Sequence, residues 1–195
     1  MQRTTQRTRK YRSSTRAHAA DRRPIFEACE SRRHLAVTAS AFHSTLYVWG
    51  DAQNNGVSIT KDGGDLVVKK YTGGGHGGYT EFFRASDSSV DQIRMYGYDG
   101  ADTLTVSDDV TDKVTIYGGP GNDYLRGGGG DSYVWGHGNW AGNADHDPAT
   151  DDNAADILVA GEGYARLHGQ GGNDTFINSD SASSSYSVQY GGGGN

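Results

Sequence analysis

The sequence is short of the usual means of holding a fold together. It has one cysteine, Cys29, so no disulfide framework supports it, and a lone thiol does not report a redox compartment. Three prolines and no strict G-X-Y period exclude a collagen-like helix. No run of about 18 apolar residues is present, which excludes a transmembrane helix. Helix signals are nearly missing, and only Ala20–Ser31 could form a turn or two. Also absent are the H-E-x-x-H of a zinc protease and the G-x-S-x-G elbow of a hydrolase. Gly73–Gly78 has neither the Lys-Ser/Thr ending of a phosphate loop nor a helix pattern after it, so it reads as a turn.

What the 195 residues do contain is glycine, 30 copies, with 34% hydrophobic residues. That fraction is low for a thick core and suits short strands around a narrow apolar strip. Charge is split along the chain. Residues 1–34 carry ten Lys/Arg against three acids, or +7; the remainder carries eight bases against 21 acids, or −13. An acidic body argues against nucleic-acid binding by the folded part. Carboxylates at that density suit a cation, or simply a solvated surface.

The head lacks an apolar period, and residues 1–44 are expected to be a disordered, basic export or sorting segment. Its closest approach to a secretory signal is Leu35–Ala41, with small residues at Ala39-Ser40-Ala41. Phe26–Leu35 resembles the N-terminal "LEPR-XLL" segment of large extracellular planctomycete proteins. Glu30, Arg32 and Leu35 match; Cys29, Ser31 and His34 depart from its Leu, Pro and first Leu. The resemblance implies export, hence a secreted or cell-surface location.

The body, residues 45–195, repeats. Alternating apolar residues end in an aromatic residue or His and then Gly at Leu46–Gly50, Ile93–Gly97, Val114–Gly118, Tyr133–Gly136, Ala165–Gly169 and Ser187–Gly191. Val67–Gly73 reads as a looser copy. The closing glycines, 50, 73, 97, 118, 136, 169 and 191, are spaced by 23, 24, 21, 18, 33 and 22 residues. Asn139–Asn153 looks like a polar insertion within the longest step. Second strands are expected at Val57-x-Ile59, Leu104-x-Val106, Ile157-x-Val159 and Phe176-Ile177. Two short strands and two glycine-rich turns per coil predict an all-β fold, a right-handed parallel β-solenoid of the β-roll or β-helix kind. Trp49, Tyr71, Tyr96, Tyr117, Trp135, His168 and Tyr190 would then stack along one edge, mainly as packing. A carbohydrate-binding strip is the alternative.

Gly118–Arg126 and Gly127–Trp135 are tandem copies of G-G-x-G-x-D-x-U-x, where U is large and apolar. Related turns occur at Gly97–Asp102 and Gly169–Asp174, and Gly191–Asn195 begins another. Asp102 and Asp123 are 21 residues apart, one coil plus three, and could share an edge. Calcium takes roughly 6–8 oxygen ligands, so a single Asp is insufficient and carbonyls of stacked turns must help.

These repeats resemble the hemolysin-type (RTX) calcium-binding family. The resemblance implies Ca2+ as a folding ligand, with the side chains of Asp102, Asp123 and Asp174 as ligands. Carbonyls of Gly119, Gly121, Gly128 and Gly130 would complete the shells. Ser132 stands where the second nonapeptide should have Asp, with Asp131 beside it; the turn at Gly136 has Ala141 at that position and the turn at Gly50 has Asn55. The metal-free alternative is that these Asp residues close Asx turns. Asp145, His146, Asp147, Asp151 and Asp152 read as a solvated loop rather than a metal site.

The expected function is a secreted or surface-attached calcium-binding solenoid with a structural or adhesive role, and no catalytic residue is assigned. Extracellular polysaccharide and other surface proteins are the candidate partners. The rival readings are a remnant or module of a polysaccharide-acting enzyme and a carbohydrate-binding module.

Overall fold

The computed structural model describes residues 37–72, 78–138, 152–179 and 187–192. The chain divides into Met1–Arg33 and His34–Asn195, and the described residues all lie in the second unit. Among the described residues the regular elements are strands, with one short 3-10 turn at Asp87–Ser89. The all-β expectation holds for the described residues.

The strands form two mixed sheets of seven. The first runs in the order β1 (Thr38–Phe42), β2 (Thr45–Trp49), β6 (Gln92–Tyr96), β8 (Lys113–Tyr117), β10 (Ser132–Trp135), β12 (Ala165–His168), β14 (Ser187–Tyr190). The second runs β13 (Thr175–Ile177), β11 (Ile157–Val159), β9 (Tyr124–Arg126), β7 (Thr103–Val106), β3 (Gly56–Asp62), β4 (Asp65–Tyr71), β5 (Tyr79–Ser86). From β6 onward each strand of one sheet is followed in the chain by a strand of the other, and successive strands within a sheet pair in parallel. The antiparallel pairs are β1 with β2, β3 with β4 and β4 with β5.

Alternation places one apolar row after another between the sheets, because side chains on a strand point to opposite faces in turn. Val48, Met95, Ile116, Val134 and Leu167 are register partners across the first sheet; Val57, Leu104, Leu125, Leu158 and Phe176 are partners across the second. Except for the half-buried Phe176, these residues are buried and belong to one cluster. Each such burial is worth roughly 1.5–3 kcal/mol. The row of Leu46, Ile93 and Val114 continues into Ser132 and Ala165, where small residues taper the core.

Two expectations need correction. Val67–Gly73 is not a coil of the parallel series. Its strand, β4, runs antiparallel between β3 and β5 and is no step of the parallel series, while Gly73 itself lies outside the described residues. Tyr71 accordingly lies outside the aromatic stack and meets Tyr79 edge-on at 5.7 Å. Residues 38–44, assigned to the disordered head, form β1 and a turn: Val37 is buried, Ala39 packs on the core, and β1 pairs with β2 over its whole length.

Candidate functional site

The turns that lead from the first sheet to the second lie along one edge. They are residues 50–55, 97–102, 118–123, 169–174 and, of the stretch between β10 and β11, the described residues 136–138 and 152–156. Each ends in Asn55, Asp102, Asp123, Asp156 or Asp174, immediately before a strand of the second sheet. Paired strands start in register, so these five side chains arrive one above another. The main-chain N–H of Asn55 donates to Asp102 Oδ1 at 2.7 Å, and that of Asp102 to Asp123 Oδ1 at 2.7 Å. The N–H of Asp123 donates to Asp156 Oδ1 at 2.8 Å, and that of Asp156 to Asp174 Oδ1 at 3.0 Å. The bonds join residues 47, 21, 33 and 18 positions apart, so they tie separate turns together. At the first rung Asn55 turns its amide inward: Oδ1 accepts from Asp51 N–H and Nδ2 donates to Asp51 Oδ1.

The second carboxylate oxygens point at glycine. A Cβ built on Gly97 would collide with Asp102 Oδ2 and the Gly118 carbonyl; one on Gly118 would collide with Asp123 Oδ2 and the Gly136 carbonyl. Glycine is required there by close approach rather than by dihedral angle. Gly121 needs its freedom for both reasons, with φ at +125° and the Gly100 carbonyl where a Cβ would sit. Tyr98 holds a positive φ of +71° at the place where the next turn has Gly119. Beside it a cavity of about 450 Å3 is lined by Trp49, Gly50, Asp51, Ala52, Tyr98 and Asp99.

Asp102 and Asp123 are 1% and 2% exposed, and the Oδ2 of each accepts no hydrogen bond among the described residues. Burial pushes the Asp102 carboxyl up to about 7; the Asn55 N–H opposes the rise, and the charges of Asp51 and Asp99 add to it. Burial likewise pushes Asp123 up to about 9, against the pull of the Asp102 N–H and with help from Asp156, Asp102 and Asp152. The ladder therefore stacks carboxyl groups that resist being charged together.

The structure splits the sequence-derived site residues into two groups. Asp102, Gly119, Gly121, Asp123 and Asp174 share the ladder edge. Gly128, Gly130 and Asp131 lie beyond the other end of β9, in the turn leading back to the first sheet. A three-residue strand puts the two halves of the tandem repeat on opposite edges, as two glycine-rich turns per coil would require. Asp131 is exposed there, and its carbonyl accepts the Val114 N–H at 2.8 Å. Ser132 is fully buried, with its hydroxyl accepting from Gly128 N–H and donating to the Gly130 carbonyl.

Asp156 was missed by sequence reasoning, which placed Ala141 at this position. The insertion lies inside the turn, so the carboxylate comes 20 residues after Gly136. The signal that finds it is local: Asp156 precedes Ile157-Leu158 as Asp102 precedes Thr103-Leu104 and Asp123 precedes Tyr124-Leu125. Asp152 was read as part of a solvated loop. Its Oδ2 accepts the Gly121 N–H at 2.6 Å and its Oδ1 the Ala154 N–H at 3.1 Å. Asp145, His146, Asp147 and Asp151 lie outside the described residues, as does Ala141.

Could the ladder edge hold a cation? Buried, unpaired Oδ2 atoms in successive turns, close to turn carbonyls, are the right donor type for a hard ion. Among the described residues no three His, Cys, Asp or Glu side chains converge closely enough to hold a metal by themselves. A site here would be built largely of main-chain carbonyls, with one or two carboxylates from neighbouring turns.

On the outward face of the first sheet the aromatic stack is continuous. Ring centroids lie 5.3 Å apart for Tyr96–Tyr117, 5.1 Å for Tyr117–Trp135, 5.2 Å for Trp135–His168 and 4.5 Å for His168–Tyr190. The interplanar angles are 6°, 15°, 8° and 10°. These five rings cover one another's faces, as packing would require; Trp49, also expected in the stack, lies instead on Tyr47 of its own strand at 5.4 Å.

No known family model matches the chain, and no curated protein or solved structure matches it either. Among the described residues no helix is long and apolar enough to cross a membrane.

Proposed function

We propose that the body is a right-handed parallel β-solenoid of the RTX-like kind, with a structural or adhesive role outside the cell and calcium as its folding ligand. The observation that carries the proposal is the pair of buried Oδ2 atoms on Asp102 and Asp123, one rung apart and without a hydrogen-bond partner. A divalent ion shared between adjacent turns would neutralise two carboxylates that burial otherwise drives toward the protonated form. Binding free energy gained only by the folded chain is folding free energy. The parallel pairing of successive coils supports the solenoid, since each coil meets only its neighbours. The export-like head supports an extracellular setting, and the acidic body suits a cation as ligand.

A second reading has its own observation. Every rung already uses Oδ1 to accept a main-chain N–H, and Asn55 fills the same position without a charge. In that reading the ladder is a metal-free coil-to-coil clasp, with Asp102 and Asp123 protonated.

Titrating calcium into chelator-treated protein while following the far-ultraviolet circular dichroism and the melting temperature separates the two. The calcium reading expects a rise in melting temperature that Asp123→Ala weakens. An identical melt from chelator to millimolar calcium overturns it and leaves the clasp.

A further inference from the structure

None of the seven strands of the first sheet contains an Asp or a Glu, although the chain has 24 acids. What that face presents outward is aromatic and basic. Arg94, Lys113 and Arg166 are all exposed on it. In the register of the sheet Arg94 neighbours Thr115, Thr115 neighbours Tyr133, and Tyr133 neighbours Arg166, so two of the cations share a row. The third comes from the next row: Lys113 Nζ lies 5.0 Å from the Tyr133 ring centroid, and the Arg166 guanidinium carbon lies 5.7 Å from the same ring. Two cations thus converge on one tyrosine.

Among the described residues no carboxylate pairs with Arg94, Lys113 or Arg166. Arg166 Nε donates to the Tyr164 hydroxyl at 2.8 Å, and its guanidinium lies over that ring too. On the second sheet, among the described residues, Lys69 and Lys70 of β4 likewise carry no ion pair, but other cations there are matched. Arg84 on β5 is bound by Asp62, Asp65 and Glu81, and Lys61 by Asp87. Uncompensated cations gathered on one acid-free sheet face, in an acidic body, are a complementary surface for an anion.

We propose that the outward face of the first sheet docks an acidic polysaccharide, whose carboxylates or sulfates meet Arg94, Lys113 and Arg166. Neighbouring strands are about 4.8 Å apart, so β8 and β12 are separated by about 10 Å and β6 and β12 by about 14 Å. That span suits a polymer with repeating charges better than one small anion. Single-stranded nucleic acid needs free aromatic faces on which bases stack. Here the rings already lie against one another at 4.5–5.3 Å, leaving their edges and hydroxyls for hydrogen bonds to sugars. The inference deepens the adhesive reading above, on which it rests, and does not depend on the metal.

The experiment is isothermal titration of the full chain, in chelator, with polygalacturonate and dextran sulfate, and with neutral dextran and an oligothymidylate as comparators. Binding to at least one acidic glycan and none to dextran is expected. Lys113→Gln with Arg166→Gln should weaken it about tenfold, whereas Arg84→Gln should leave it unchanged. If the double variant melts far below the parent, Arg94→Gln alone takes its place, with a smaller loss expected. No binding to either acidic glycan, equal loss in Arg84→Gln, or tighter binding to the oligothymidylate would each overturn the proposal. A calcium-dependent melt that persists in those cases would show that only the docking surface has failed.

Discussion

The main-chain N–H of Asp102 donates to Oδ1 of Asp123 at 2.7 Å, across 21 residues of chain. One carboxylate thereby ends its own turn and satisfies the backbone of the turn beside it. The same bond repeats on either side, which makes Asp123 the middle of a five-rung clasp.

Asp123→Asn and Asp123→Ala should part company. Asn keeps an oxygen for the Asp102 N–H, as Asn55 keeps its place in the first turn. Ala leaves a buried N–H orphaned, at a cost of about 1–3 kcal/mol. In chelator, Asn is therefore expected to melt close to the parent and Ala clearly below it. With calcium, both should show a weakened response, because neither supplies a charged Oδ2. Differential scanning calorimetry with and without chelator reads both effects.

Gly118→Ala should destabilise by several kcal/mol, since its Cβ would strike Asp123 Oδ2 and the Gly136 carbonyl, and main chain cannot move aside as a side-chain tip can. Gly64→Ala is the contrast. A Cβ there meets nothing within 4 Å and the residue has no positive φ, so a gain of about 0.4–1 kcal/mol is expected. Urea denaturation of the two variants gives the comparison.

The ladder sets a pH dependence whose sign is opposite to that of a salt-bridged acid. Burial raises the folded-state values of Asp102 to about 7 and Asp123 to about 9, above those of the unfolded chain. Between the unfolded and folded values the native state holds protons that the unfolded state has lost, so stability falls as pH rises. Without metal, the melting temperature should decline from about pH 4 toward pH 9 and level off above. Calcium, which takes the ionised form, should restore most at the alkaline end. Melts across that range in chelator and in calcium test it; a metal-free chain that gains stability from pH 5 to 8 would contradict the buried carboxyl assignment.

Trp135→Ala removes a ring stacked between Tyr117 and His168 and 9% exposed; a loss of about 3–5 kcal/mol is expected. Tyr190→Ala, at the end of the stack and 48% exposed, should cost far less. Thermal melts of the pair show whether the stack is packing.

Much of this arrangement can be read locally. Glycine followed five residues later by Asp, and Asp followed two residues later by Leu, placed the turns at 97–102 and 118–123 and the strands after them. The aromatic residue or His before the glycine gave the stack from Tyr96 to Tyr190, but not Trp49, whose ring lies on Tyr47 of its own strand, nor Tyr71. Tyr71 misled because the apolar pair Val67-Val68, followed by an aromatic residue and then Gly73, reads like a looser copy of the repeat, and such a pattern carries no sign of strand direction. Asp156 was hidden because the sequence does not say where within a turn an insertion is spliced. Asp131 follows from the two-turn coil: the three residues of β9 carry its nonapeptide to the opposite edge from Asp123.

The sequence by itself determined the period, the bends and the apolar rows, because glycine's dihedral freedom and the two-residue alternation of a strand act within a few residues. The tertiary structure decided which carboxyl groups meet, which are stripped of water and which face is left without acids. Those outcomes depend on neighbours that arrive 18 to 47 positions later in the chain, and desolvation exists only once those neighbours have closed over the group.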